Sequence, residues 1–224
     1  MTLRFKPLHP LFAAEAAGID LRGTLAAGKV RRIVAAMDRY AVLAFRGQKL
    51  GAEEQLKFAR RFGPLTVGFR KIRKGAPHRL DYDALPAGLK TEIAGLRAEH
   101  YVLHSRFLLG DTGYTREQRK ALPPVEWPLV RTHPGSRRKL LWVGAHATHI
   151  RGMTVPEGRM LLMYLLEHAT RCRFVYRHRW KAGDLLMWDN RTLMHRGRRF
   201  DFSQRREMRR ATVEDVDESL ENAA

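Results

Sequence analysis

"GDLLMWDNRTLMHRG" runs from Gly183 to Gly197. It opens on a glycine turn, continues through the apolar Leu185-Leu186-Met187-Trp188, and passes Asp189 and Asn190 to reach His195 among arginines. The pattern predicts a turn, a short apolar strand and a polar loop that carries the histidine. Taken alone, the stretch leaves two readings of His195: a metal ligand, or a surface histidine in a basic loop.

The residues that follow bear on that choice. Arg206 and Arg210 lie 11 and 15 residues beyond His195, within "RREMRRATVED". That segment reads as a last strand with charges alternating across its faces, and a spacing of four keeps Arg206 and Arg210 on one face. Two guanidiniums on an inner face are costly unless they meet anions. A dicarboxylate supplies both charges, and arginine's planar fork suits a carboxylate. A neutral imidazole one strand away can hold a metal that the same anion chelates.

The chain has 224 residues, 44% of them hydrophobic and 29% charged, which suits one folded domain with a full core rather than wholesale disorder. Its net charge of +19 favours anionic partners. The excess gathers at Gly68–Arg79 and Arg198–Arg210, while residues 214–224 form an acidic tail expected to fray. A charge run is usually a solvated face, and no base-stacking module or helix-turn-helix pattern is visible, so nucleic acid is not the favoured partner. The single cysteine, Cys172, excludes a disulfide within the chain, suits a reducing cytoplasm and reads as a small buried residue near a strand. No apolar stretch reaches eighteen residues, so no signal peptide or membrane span is expected.

Helical spacing predicts helices over "AAGKVRRIVAAMDRY", with Val30, Ile33, Val34 and Met37 on one face, and over Ala52 to Phe62. It also predicts helices over "PAGLKTEIAGLRAEHYVLH", "TREQRKAL" and "VPEGRMLLMYLLEHAT". "AVLAFRG" reads as a buried strand, "WPLVRTHPGSRRKLLWV" as strand, Pro134-Gly135 turn and strand, and "RFVYRHRW" as an alternating strand. Of the ten histidines, His100, His104 and His168 fall on predicted helices and read as packing or surface residues. His146 and His149 lie three apart in "GAHATHI", where Gly144 and Thr148 argue against a helix. The whole suggests one α+β domain with a mainly β core.

"GDLLMWDNRTLMHRG" followed by "RREMRR" resembles the C-terminal signature of the iron(II)/2-oxoglutarate dioxygenases of the taurine and 2,4-dichlorophenoxyacetate type. "AAGIDLRGTL", "YAVLAFRGQKLGAEEQLKFARRFGPL" and "VRTHPGSRRKLLWVGAHATHIRGMTVPEGRMLL" resemble the family's other blocks in the same order. "YDALP" and "YRHRWKAGDLLMWDN" are similar to the 2,4-dichlorophenoxyacetate branch.

The resemblance implies a double-stranded β-helix, or jelly roll, with flanking helices. It implies Fe(II) as cofactor, 2-oxoglutarate as co-substrate and hydroxylation of a small organic acid. His195 would be the distal metal ligand. Arg206 would pair with the far carboxylate of 2-oxoglutarate, with Arg210 near the chelating one. Trp188, Asp189 and Asn190 would shape the approach to the ligand.

A site of this kind takes two histidines and a carboxylate, and the family supplies the first pair as His-x-Asp. No His-x-Asp or His-x-Glu occurs in this chain. The nearest arrangement, His78-Arg79-Leu80-Asp81, is one residue too long for both side chains to share a strand face. The chain is also shorter than the family usually runs, and the loss falls around residues 66–82. A jelly roll without its inner strands exposes sheet edges, which is compatible with a homo-oligomer. The resemblance therefore admits two outcomes: an active dioxygenase, or a degenerate relative that binds a dicarboxylate without turnover.

Overall fold

The computed structural model describes residues 2–66 and 77–214, with 77–80 described by backbone alone. The basic cluster around Gly68, the side chain of His78 and the acidic tail beyond Glu214 lie outside the described residues. The chain forms two compact units. One comprises Met1–Arg70, Tyr176–Asp189 and His195–Val216; the other comprises Lys71–Val175, Asn190–Met194 and Asp217–Ala224. Helices and short sheets mix in both, so the architecture is α+β. Among the described residues, no helix is long and apolar enough to cross a membrane.

In the first unit, β1 (Arg4–Pro7) and β2 (Ala14–Ala17) form an antiparallel pair. Helix α1 (Ala27–Tyr40) follows. Its Ile33 and Met37 are buried and Val30 is half-buried. Val34, predicted on the same face, is 45% exposed, because it lies a further 100° round the helix from Ile33. Ala41 closes the helix in the left-handed region, at φ 61°, and donates its N–H to Met37 O. That turn delivers β3 (Val42–Phe45), which is buried throughout and pairs with β2 in parallel. Helix α2 (Ala52–Ala59) starts with the Glu54 carboxylate accepting the Gly51 N–H at 2.7 Å. It then tightens into a 3₁₀ turn, Arg60–Phe62, which sets Phe62 edge-to-face with Phe58, itself edge-to-face with Phe45.

The second unit runs β4 (Pro77–His78), α3 (Arg79–Asp83), α4 (Ala87–Ile93), β5 (Arg97–His100), α5 (His104–Phe107) and α6 (Arg116–Ala121). It continues with β6 (Val125–Pro128), β7 (Val130–Thr132), β8 (Lys139–Trp142), β9 (Ala147–Ile150) and α7 (Val155–Ala169). One sheet has the order β4-β8-β7 and another β6-β5-β9. The turn at Pro134-Gly135 joins β7 to β8 with Arg131 opposite Leu140, as the sequence predicts. The helix expected through Val102 stops at Ile93, and Arg97–His100 is a strand instead. Its alternating burial, Ala98 and His100 in and Arg97 and Glu99 half out, is the period-two pattern of a paired strand.

"RFVYRHRW" is not a strand: Cys172–Phe174 is a 3₁₀ turn, and the residues after it are irregular. Cys172 is exposed rather than buried.

A close approach fixes α7 on β9. A Cβ built at Gly158 would stand 2.6 Å from the backbone N of Ile150, nearer than van der Waals contact allows. Leu162 and Leu165, below Gly158 on the same helix, fill the core with Ile150, Leu129 and Leu141. Gly158→Ala therefore costs stability even though alanine favours helix: overpacking of about 1–3 kcal/mol outweighs a propensity gain of about 1 kcal/mol. A lowered denaturant midpoint with unchanged far-UV circular dichroism is the expected result.

Asp81 is fully buried in this unit. Its Oδ1 accepts the Tyr82 N–H at 2.7 Å, while among the described residues Oδ2 has no hydrogen-bond partner. Its backbone carbonyl accepts from Nε2 of His168 at 2.9 Å. Burial pushes the Asp81 carboxyl up to about 8. The folded state thus keeps a proton that the unfolded chain releases above its ordinary value of 3.8, and stability falls as pH rises between those limits. Relative to Asp81→Asn, the wild type is expected to lose up to about 1.4 kcal/mol per pH unit between about pH 5 and 7. Denaturant titrations of both proteins across that range check it, and parallel curves would refute it.

Candidate active site

The strand expected from "GDLLMWDN" forms as β10 (Leu185–Trp188), antiparallel to β3, with Leu185 opposite Phe45 and Trp188 opposite Val42. Gly183 makes the entry turn at φ 81°, and its carbonyl accepts the Gln48 N–H at 2.7 Å. A Cβ there would meet Lys49 at 3.3 Å. At the far end the Asp189 N–H donates to Ala41 O at 3.0 Å, carrying the pairing one residue past Trp188. Asn190 begins the short segment assigned to the second unit, in which Thr192 and Leu193 are buried.

Trp188 is half-buried and gathers two of the predicted site residues. The His195 ring lies 5.2 Å from its ring, tilted by 54°. The Arg210 guanidinium lies 5.8 Å from the same indole. Arg206 has a different partner, the ring of Phe200 at 4.7 Å. The segment from Arg196 to Arg210 is exposed and is neither helix nor strand. The expected last strand is reduced to an isolated bridge between Leu65 and Val213, with Thr66 N–H donating to Thr212 O and Gln55 Nε2 to Arg209 O. The shared-face argument for Arg206 and Arg210 needs a sheet partner, and the described residues supply none along 205–210.

Beside β10 lies a polar network that the sequence reading missed. The side chain of Asp184 is 1% exposed and pairs with Arg46. Its Oδ2 also accepts from the Lys181 N–H at 2.8 Å and lies 3.2 Å from His178 Nε2. The Tyr176 hydroxyl is 3.0 Å from His178 Nδ1, and Arg46 Nε reaches Glu15 at 3.5 Å. A neutral His178 with its proton on Nε2 satisfies both contacts, donating to Asp184 and accepting from Tyr176. Burial, then the Arg46 charge, lower the His178 pKa and keep it neutral. Burial alone would raise Asp184, but the Lys181 N–H and Arg46 outweigh it and hold the carboxylate below its ordinary range. The one trace of this network in the sequence is the alternation Tyr176, His178, Trp180.

The remaining histidines are spread through the second unit. His146 precedes β9 and lies 3.0 Å from Ser105 Oγ; His149 is on β9, 3.1 Å from Thr148 Oγ1. His100, expected on a helix, is buried on β5, where burial and then His146 press its pKa down to about 4. Among the described residues, no three His, Cys, Asp or Glu side chains come together in a way that could hold a metal ion. The Asp81 carboxyl is buried and neutral, and so is not presented to one. The described residues therefore do not fit a three-ligand iron site.

The sequence pattern of the "Taurine catabolism dioxygenase TauD, TfdA family" matches residues 4–82 and 82–212. The chain is 46% identical over 283 aligned positions to an alpha-ketoglutarate-dependent 2,4-dichlorophenoxyacetate dioxygenase of Cupriavidus pinatubonensis, covering 96% of this chain and 99% of that one. It is 30% identical over 263 positions to an (S)-phenoxypropionate/alpha-ketoglutarate-dioxygenase of Sphingobium herbicidovorans, covering 90% and 91%. The crystal structure of AAD-2 in complex with Mn(II) and N-oxalylglycine superposes with a TM-score of 0.88 at 42% identity, covering 96% of this chain and 98% of that one. With matches that span nearly its whole length in sequence and in structure, the chain belongs to the TauD/TfdA dioxygenase family.

Proposed function

We propose that the chain is an Fe(II)/2-oxoglutarate-dependent dioxygenase-type protein that takes a small organic acid as primary substrate, with 2-oxoglutarate converted to succinate. The observation that carries this is the 46% identity, over 96% of the chain, to a 2,4-dichlorophenoxyacetate dioxygenase. The relatives' names pair an aryloxy acid with alpha-ketoglutarate. The ancestral fold in this reading is the jelly roll.

In this reading His195 is the surviving metal histidine. Arg206 meets the far carboxylate of 2-oxoglutarate and Arg210 the near one, their guanidiniums donating forked hydrogen bonds. Trp188 holds His195 and Arg210 at the end of β10, and Asp189 anchors that end to Ala41. Asn190 opens the loop that leads to His195.

A second reading rests on a specific observation: no metal-holding cluster exists among the described residues, and no His-x-Asp occurs in the sequence. Here the chain binds a dicarboxylate without turnover. Two further facts support a missing ligand-bearing stretch. The family match divides at residue 82, and the alignment to the Cupriavidus relative is longer, at 283 positions, than the 224 residues of this chain. We place the missing stretch around residues 66–82.

The first reading requires 2-oxoglutarate to bind and the second requires 2-oxoglutarate or another dicarboxylate, and calorimetry measures both directly. Arg206→Gln is expected to weaken binding about tenfold or more, the cost of removing a charged hydrogen-bond partner from a carboxylate. A folded wild-type protein that does not bind 2-oxoglutarate would overturn the first, and one that binds neither it nor another dicarboxylate would overturn both. The absorption band of an anaerobic Fe(II)–2-oxoglutarate complex, followed by succinate release in air, separates them: both signals support the enzyme, whereas binding with neither leaves the degenerate relative.

A further inference from the structure

The segment from Arg196 to Arg210 sets seven arginines against two acids. Those acids neutralise little of the charge. Glu207 is shared between Arg205 at 3.0 Å and Arg209 at 3.9 Å, and Asp201 is turned to Ser203 and Gln204. Two phenylalanines stand among the arginines where burial would be expected: Phe202 is 86% exposed and Phe200 40%. Their rings lie 4.7 Å apart, and the Arg206 guanidinium covers one of them at 4.7 Å. An exposed phenylalanine gains nothing from water, and two packed together, their rings tilted by 47°, beside a row of guanidiniums form a surface that is apolar and cationic at once.

We propose that residues 196–210 bind single-stranded nucleic acid, with Phe200 and Phe202 as a platform for unpaired bases and Arg198, Arg199, Arg205 and Arg209 on the phosphates. Each component matches a known energetic term. Unstacked bases sit on exposed aromatic rings, and arginines spaced along an exposed segment neutralise phosphates. A duplex keeps its bases stacked and offers the rings nothing. An anionic membrane would need an amphipathic helix or a broader apolar face, and this segment has no regular structure and only two exposed rings. The chain's net charge of +19 brings any polyanion toward the surface. The inference does not depend on 2-oxoglutarate binding, since Phe202, Arg198 and Arg199 have no part in the co-substrate arm proposed above.

Fluorescence anisotropy of a labelled oligothymidylate of about twenty nucleotides tests it on the full chain. The expected result is binding whose logarithm falls linearly with log salt between about 50 and 200 mM, by about 0.7 per phosphate contacted. Phe202→Ala and Phe202→Leu are expected to weaken binding about fivefold or more at an unchanged salt slope, while Phe202→Tyr, which keeps a ring, binds as wild type. Arg198→Gln with Arg199→Gln is expected to flatten the slope by about 1.4. Circular dichroism confirms the fold of each variant, as expected for side chains this exposed. The proposal is overturned by the absence of binding at the lowest salt, by equal affinity for a duplex of the same length with no effect of Phe202→Ala, or by phosphatidylserine vesicles displacing the oligonucleotide from the same arginines.

Discussion

The antiparallel pairing of β10 with β3 is the constraint on which the candidate site depends. It joins residues 185–188 to residues 42–45, far apart along the chain. The pairing is costly in loop-closure entropy and is offset by apolar burial, because β3 is buried throughout and Leu185 and Met187 pack on the core around it. Two devices at its ends set its register. Gly183 supplies the positive φ of the entry turn, and Asp189 continues the ladder to Ala41, itself in the left-handed conformation that ends α1. Trp188 therefore has one place to be, and His195 and Arg210 take their positions from it.

The parts of the fold written in local chemistry were legible in the sequence. Helices α1, α2, α6 and α7, strand β3, the β7–β8 hairpin and β10 follow from spacing, caps and turn residues. The failures share a cause. Leu89, Ile93 and Leu96 keep helical spacing up to the edge of "RAEH" and predict a helix there, whereas its strand identity comes from pairing with β6 and β9. The segment 205–212 carries the alternation of a strand but has no ladder to join. Strand identity is a property of pairs, and one partner alone does not reveal it. "YRHRW" is the instructive middle case. Its alternation is real and governs burial, with Tyr176 and His178 turned in and Arg177 and Arg179 out, yet the partner it serves is the Asp184–Arg46 ion pair rather than a strand.

The site was legible as a set of residue types and less so as a geometry. His195 and Arg210 do meet at a common side chain, through an aromatic ring that the sequence marked only as a strand end. Arg206 does not join them at that ring. The network of Glu15, Arg46, Tyr176, His178 and Asp184 was invisible as a whole, since its members come from three distant stretches and no spacing links them. Its consequence is mechanical. A neutral His178 and an Asp184 carboxylate held through Oδ2 by Arg46, His178 and the Lys181 N–H fix the turn at Lys181–Asp184 from which β10 departs.

The arginines show how the argument for an anion changes once exposure is known. On the inner face of a sheet, two guanidiniums demand a counter-ion because their desolvation costs several kcal/mol each. In this structure Arg206 and Arg210 are exposed and lie over aromatic rings, an arrangement worth roughly 0.5–1 kcal/mol at such sites and in need of no anion. Burial therefore no longer argues for a bound dicarboxylate; kinship does. The same exposure leaves the charge of the whole segment open to solvent, and its reach is set by screening, with a Debye length of about 10 Å at 0.1 M salt. In this chain the arginines of residues 196–210 face outward. For Arg198, Arg199, Arg205 and Arg209, the anion is decided by what also rewards the rings beside them, and a small diacid has no face to stack whereas an unpaired base does.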